Sequence, residues 1–333
     1  MHHRQTSADI NPLGLTFSVV IPCHNAARWI EQSLHSVLAQ IYPVLEILVV
    51  DDASDDRSLE LVTQIRDQTS IPLHILHGDR LGPAGARNLG ISQASGDWVA
   101  FLDADDWWKP DHLQNIQQAV AETQDVVYIA AAEHYSMNVE RVVSRSATPF
   151  DSVKNHLDHD TYFQLYQTHG ILELSGSAIR RTRLQEVGGF KPEFRGAEDL
   201  EIVMRAVHGK TWAYNPTPSH FYRCNNPESH SKKYGLDEQC LTAGLRVFQS
   251  LQDEYNISRL FLKKKAVTLL SKAIMSFDSA TRKRTFSLAW PYLSTTEKAL
   301  FTTFAHTPTF YTWLNFIRNR LRGPRYAPRQ VIS

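Results

Sequence analysis

Two carboxylates one residue apart, Asp103 and Asp105, follow the apolar run at residues 98–102. At that spacing both can approach one hard divalent cation. Magnesium or manganese suits such oxygen ligands and commonly bridges to phosphate oxygens. The chemistry served is departure of a diphosphate, which leaves poorly until its growing negative charge is neutralised. A D-x-D triplet alone is common in solvated turns, but here an apolar strand precedes it and Asp106-Trp107-Trp108 follows. A second acidic pair, Asp51-Asp52, closes the β-branched run at 46–50. A carboxylate there can accept a base N–H or a ribose hydroxyl, while Ser54 or Asp55 suits a helix cap. A third group lies in residues 82–90, where small residues let a helix pack closely on a sheet. From it Arg87 and Asn88 can reach a nucleotide or brace the acidic loops.

These side chains need a scaffold that brings separate loops together. Short apolar runs at 17–21, 46–50, 73–76 and 98–102 alternate with helical patterns at 26–40, 57–68 and 84–94. In the first helix Trp29, Ile30, Leu34, Val37 and Leu38 fall on one face. Pro83 sits where a helix start tolerates proline. The regular alternation predicts an α/β domain with a mainly parallel sheet covered on both faces. In such sheets ligands bind beyond the carboxyl ends of the strands, and Asn25, Asp51, Asp52 and the 103–106 acids all follow strands. Further strands are expected at 126–132, 139–144 and 171–179, and a helix at 197–207. Helical periods dominate from 237 to 277 and recur more weakly to 321, so a boundary is placed near Tyr234. No internal repeat or low-complexity tract interrupts the chain.

Taken in order, these segments resemble the family 2 glycosyltransferases of the GT-A fold. Val20-Ile21-Pro22-Cys23-His24-Asn25 looks like their first strand and base-binding loop, which brings in Pro22 and Asn25. Val50-Asp51-Asp52-Ala53-Ser54 resembles their second motif, residues 82–90 their G-x-x-x-A-R-N-x-G helix, and Phe101 through Asp106, with Ala104 between the two acids, their metal-binding D-x-D. Val187-Gly188-Gly189-Phe190 and Glu198-Asp199 are similar to the acceptor-side and catalytic-base motifs. The resemblance runs from about residue 17 to 231. It implies a GT-A-like mixed, mainly parallel sheet flanked by helices over 15–234, with a helical C-terminal extension over 235–333.

The resemblance also implies an inverting transfer from a nucleotide sugar, a UDP-sugar first among them, with Mg2+ or Mn2+ at Asp103 and Asp105. Asp199 becomes the general base and Glu198 positions the acceptor or the base. A carboxylate beside a second one has a raised pKa and is a better base. The plainer reading is that this acidic pair starts a helix at Leu200, where acids favour the dipole. Tyr222-Arg223 with Ser229 and Ser231 resembles a segment that holds the donor diphosphate. His220 is either a third metal ligand or a structural histidine. One departure is plain: Cys23-His24 stands where relatives often carry other residues, and the usual tyrosine near the first motif is absent.

Other classes fit poorly. Gly209-Lys210-Thr211 is not a phosphate loop, because Met204 occupies the position of its first glycine. No G-x-G-x-x-G follows a strand. A glycoside hydrolase needs two carboxylates without metal or nucleotide, and metal-dependent donor hydrolysis separates that reading from a transferase. A catalytically inactive sugar-nucleotide-binding or scaffold module remains the non-enzymatic alternative. The 333 residues are 42% hydrophobic and 21% charged with formal net charge zero, which suits a cored domain with no global attraction for nucleic acid. Three scattered cysteines suggest free thiols in a reducing compartment. With no signal-peptide core and no long apolar run, the expectation is a cytoplasmic protein. From 299 onward, aromatic residues precede Arg318, Arg320, Arg322, Arg325 and Arg329. Such a segment either lies on an anionic membrane face, suiting a lipid-linked saccharide acceptor, or packs on the main domain.

Overall fold

The computed structural model describes residues 14–120, 126–138, 141–144, 152–169, 174–194, 196–223, 226, 238–252, 262–263, 265–267, 269–270 and 279–304. The chain divides into two compact units. The first holds the described residues up to Pro192 together with Asp199–Asn226, and the second holds Glu193–Glu198 and the described residues from 238 onward.

In the first unit, β1 (Phe17–Cys23), β2 (Glu46–Asp52), β3 (Leu73–Gly78) and β4 (Trp98–Phe101) lie in the order β3-β2-β1-β4, all parallel. Every residue of β2 and all but Pro22 of β1 are buried, as expected of strands covered on both faces. The helices between them are α1 (Ile30–Leu38), α2 (Ser58–Arg66) and α3 (Gly82–Gln93). Ile30, Leu34 and Val37 recur every three to four residues on α1 and join Val19 and Ile21 in the core, each fully buried side chain contributing about 2 kcal/mol. On α3 a Cβ at Gly90 would stand 2.5 Å from Val20 Cγ1, so the small residue sets how closely this helix meets β1.

Beyond β4 the sheet becomes mixed. Its order continues β4-β9-β6-β10-β5, with β5 (Trp107–Trp108), β6 (Val126–Asn138), β9 (Ser177–Arg180) and β10 (Thr211–Arg223). The strand β9 runs antiparallel to both β4 and β6, whereas β6 and β10 are parallel. Two further strands, β7 (Arg141–Ser144) and β8 (Lys154–Leu157), pair antiparallel with β6 and β10. Helices α4 (His112–Val120), α5 (His159–His169), α6 (Arg181–Glu186) and α7 (Glu198–Val207) complete the elements.

Several expectations shift. The regular part of the first helix begins at Ile30 rather than at 26, because Trp29 leaves helical geometry (φ −128°, ψ −28°) after a single turn closed on the Ala26 carbonyl. Ser58 Oγ (2.8 Å) and Asp56 Oδ2 (2.9 Å) accept the N–H groups of Ala26 and Ala27. The strand expected at 171–179 is a 3₁₀ turn, Leu174–Gly176, followed by β9, with 171–173 outside the described residues. In the second unit, α8 (Glu238–Ser250), α9 (Ser279–Ala289) and α10 (Thr295–Phe304) are helical where described. A reciprocal cap starts α10: Ser294 N donates to Glu297 Oε2 (2.8 Å) and Glu297 N to Ser294 Oγ (3.3 Å). No helix among the described residues is long and apolar enough to cross a membrane. The basic stretch from 318 onward lies outside the described residues.

Candidate active site

The carboxyl ends of β1, β2 and β4 place three loops side by side. At the end of β1, Asn25 adopts a left-handed conformation (φ +49°), donates its backbone N–H to Ser54 Oγ (3.0 Å) and accepts Asp55 N on Oδ1 (2.9 Å). It therefore ties the first loop to the second. The exposed His24 reaches the carbonyl of Asp52 through Nδ1 at 2.7 Å. A carbonyl only accepts, so Nδ1 carries the proton. Cys23 is buried, and burial first, then Asp51 nearby, pushes its thiol up to about 12.

The two acids ending β2 have different surroundings. Both oxygens of Asp52 are engaged, accepting the backbone N–H groups of Leu81 (2.7 Å) and Gly82 (2.8 Å) at the start of α3. A side chain at Gly78 would meet Asp52 Oδ1 at 2.5 Å, so glycine there leaves room for the cap. Asp51 is buried at 6% exposure, and its Oδ1 has no hydrogen-bond partner among the described residues. Leaving such an oxygen unpaired costs about 1–3 kcal/mol, a cost that a ligand donor removes.

The loop after β4 carries the densest charge. Arg87, buried on α3, donates Nη2 to Asp103 Oδ1 at 2.7 Å. Ser175 Oγ accepts Asp103 N (3.0 Å), and its carbonyl accepts Trp108 Nε1 (2.7 Å), so the 3₁₀ turn braces the loop at both ends. Asp105 accepts Asn226 Nδ2 on Oδ2 (2.7 Å). Burial, followed by the charges of Asp106 and Asp103, raises the Asp105 carboxyl to about 7. Arg87 thus pairs with one acid of the group, while Asp105 is left buried beside like charges.

His220 is fully buried, and its Nε2 lies 3.2 Å from Asp106 Oδ2, the acid that follows Asp105 in the same loop. Among the described residues no group of three His, Cys, Asp or Glu gathers around a cation site. Asp52 caps the start of α3 with both of its oxygens. Arg223 is partly committed to the protein: Nε donates to the Asp105 carbonyl (2.8 Å) and Nη2 to Gln32 Oε1 (2.6 Å). Its guanidinium lies over Trp29 (4.0 Å) and Trp107 (4.6 Å), and Trp107 stacks on Phe221 at 5.0 Å. Trp29, Gln32 and Asn226 are the residues sequence reasoning missed. Trp29 reads as one more apolar position on α1, but it precedes that helix and packs against a cation.

On α7, Asp199 accepts Leu200 N (2.7 Å), and its charge helps raise Tyr166 to about 12, after burial. Glu198 accepts Gly196 N at 2.7 Å. Ser229 and Ser231 lie outside the described residues. Pro22 is half-buried and Ala104 buried within their loops.

Residues 18–188, more than half the chain, match the sequence profile of glycosyl transferase family 2. The chain belongs to this family. This family 2 transferase is 33% identical over 218 residues to an uncharacterized glycosyltransferase of Nostoc sp., covering 65% of this chain and 67% of that one. It is 28% identical over 197 residues to the poly(ribitol-phosphate) β-N-acetylglucosaminyltransferase TarS of Staphylococcus aureus, covering 58% of this chain and 32% of TarS, so the match spans about a third of that relative. The crystal structure of S. aureus TarS 1–349 in complex with UDP-GlcNAc superposes with a TM-score of 0.66 at 17% identity, covering 94% of both chains. The mannosyltransferase PcManGT of Pyrobaculum calidifontis, in complex with GDP-Man and Mn2+, gives 0.52 at 20% identity over 92% of this chain and 87% of the other. At such identities the likeness concerns the fold, which is GT-A-like as the motifs imply.

Proposed function

We propose that the protein transfers a sugar, with inversion, from a nucleoside-diphosphate donor, a UDP-sugar first among candidates, to a hydroxyl of a saccharide or lipid-linked acceptor in polysaccharide assembly. The observation that carries this reading is the acidic loop after β4, where Arg87 holds Asp103 at 2.7 Å and Asn226 holds Asp105 at 2.7 Å, at the same carboxyl edge of the sheet where Asp51 ends β2 with an oxygen that has no hydrogen-bond partner among the described residues. Family membership and the ligands of the compared structures, UDP-GlcNAc in one and GDP-Man with Mn2+ in the other, support a nucleotide-sugar donor. The name of TarS supports a polymeric acceptor.

The donor set fits Mg2+ or Mn2+ held by Asp103 and Asp105 with phosphate and water oxygens completing the sphere. Asp103 Oδ1 is shared with Arg87, which leaves Oδ2 for that role. When bound, the cation offsets the charge that accumulates on the departing diphosphate. Asp51 accepts an N–H of the donor base. Arg223 supplies positive charge toward the diphosphate, and Ser229 and Ser231 are carried as further contacts from the resemblance. Asp199 takes the proton from the acceptor hydroxyl, whose oxygen forms the new bond to the anomeric carbon as the bond to diphosphate breaks. Glu198 orients the acceptor. The extension from 235 onward is proposed as an acceptor- or membrane-facing segment of a cytoplasmic protein.

The experiment is a screen of UDP- and GDP-sugars with Mn2+ or Mg2+, followed by NMR of the product's anomeric proton. The reading expects β-linked product from an α-linked donor. An α-linked product would overturn inversion, and binding without any transfer or hydrolysis would favour the inactive module.

A further inference from the structure

The turn at 187–190 is held from two helices at once. From α3, Asn88 pairs with both backbone groups of Phe190, its Nδ2 donating to the carbonyl (2.8 Å) and its Oδ1 accepting the N–H (2.7 Å). From α7, Arg205 donates to the carbonyls of Val187 and, at 2.7 Å, Gly189. The fully buried Glu201 grips Arg205 through both oxygens at 2.5 Å and also pairs with Lys191 at 3.3 Å. Gly188 and Gly189 take left-handed φ values of +75° and +68°, and a Cβ on Gly189 would lie 2.5 Å from Asn88 Oδ1. Both positions thus suit glycine by their backbone, and a side chain at 189 would also crowd the Asn88 amide.

Each anchor sits close to chemistry. Asn88 follows Arg87, which holds Asp103 at 2.7 Å and lies over the Phe190 ring at 5.6 Å. Phe190 packs edge-on against Phe101, two residues before Asp103, at 5.6 Å. Arg205 lies on the same helix as Asp199. A continuous set of contacts thus runs from Asp103 through Arg87, Asn88, the turn and Arg205 to the helix that carries Asp199. We propose that Asn88 and Arg205 are positioning residues that fix the acceptor-side helix against the cation loop, so that donor activation and acceptor deprotonation occur in register. This inference rests on the transferase reading.

If it holds, loosening the link separates two activities of one site. Hydrolysis of donor by water needs the cation loop alone, whereas transfer also needs Asp199 at the correct distance, and a misplacement near 1 Å costs about 100-fold. Asn88→Ala, which removes both bonds to Phe190, is compared with Arg205→Lys, which keeps charge toward Glu201 but loses the forked contact to two carbonyls. Donor KM, metal-dependent donor hydrolysis and transfer at saturating donor are measured for each, with melting temperature as the control for folding. The expected result is transfer kcat reduced by about 100-fold in Asn88→Ala, less in Arg205→Lys, with donor KM and hydrolysis close to wild type. Proportional loss of hydrolysis and transfer in a folded variant, or undiminished transfer in both, overturns the inference. Should Asn88→Ala not fold, Arg205→Lys alone decides on the same ratio. Absence of both hydrolysis and transfer in the wild type sinks the transferase reading and this inference with it.

Discussion

The acids that end β2 and the acids that follow β4 both stand at the carboxyl edge of the sheet but in different surroundings. Asp52 gives both oxygens to backbone N–H groups at the start of α3, so its charge is absorbed by the fold. Asp105 has one amide donor, and burial first, then its acidic neighbours Asp106 and Asp103, raises its carboxyl to about 7. Asp51 stands between these cases, buried in the same strand end as Asp52 yet with one oxygen that has no partner among the described residues. The same residue type at the same kind of position thus serves architecture in one loop and is held under tension in another. Tension that the fold does not relieve is where a bound cation or base would contribute most.

The widest gap should appear in activity. Asp105→Ala is expected to lower metal-dependent turnover by at least about 1,000-fold, a loss of several kcal/mol of charge stabilisation, whereas Asp52→Ala should retain measurable transfer in steady-state assays. Close behind, Asp199→Asn should reduce transfer by about 100- to 10,000-fold while leaving donor affinity nearly intact. Near-normal transfer by that variant would remove Asp199 as the base.

The contrast should next appear in stability, with opposite signs. Asp52→Ala strands the N–H groups of Leu81 and Gly82 and should cost about 0.5–2 kcal/mol in denaturant unfolding. For Asp105 the folded pKa of about 7 lies above the ordinary 3.8, so the folded state binds the extra proton between those values. Its contribution to stability is present below about pH 4 and is lost as pH rises through about 7. Asp105→Asn should therefore raise the melting temperature at pH 8 and leave it little changed at pH 4. The smallest expected effect is at Cys23. With its thiol pushed to about 12 and buried, it should resist iodoacetamide at pH 8 in the native protein and react once unfolded, as mass spectrometry would show.

The sequence patterns revealed the parallel half of the sheet because its strands are continuous apolar runs and its helices are short and local. They revealed the acids because polar residues directly follow those runs. What they concealed depends on partners distant in the chain. Residues 26–29 read as regular helix, but they form one turn on the Ala26 carbonyl whose N–H groups are held by the distant Ser58 and Asp56, and the helix proper starts after the non-helical Trp29. Nothing in the sequence marks Asp52 as the cap of α3, because the N–H groups it accepts lie about thirty positions later. The long strand β10, interrupted by Asn215, Pro216 and Pro218, lacks a clean apolar alternation and gains its place by pairing parallel with β6 across irregular register. Likewise Arg223 carries no mark of the two tryptophans, at 29 and 107, that pack against it.

The central claim is that Asp103 and Asp105 bind a divalent cation together with a nucleoside diphosphate. Titration calorimetry of Mn2+ into the wild type and into Asp105→Ala, with and without UDP, addresses it most directly. The account predicts cation binding that UDP strengthens at pH 7.5, that weakens toward pH 5.5 as Asp105 takes up its proton, and that Asp105→Ala abolishes. Equal Mn2+ affinity in the two proteins, or UDP binding indifferent to the cation, would contradict it.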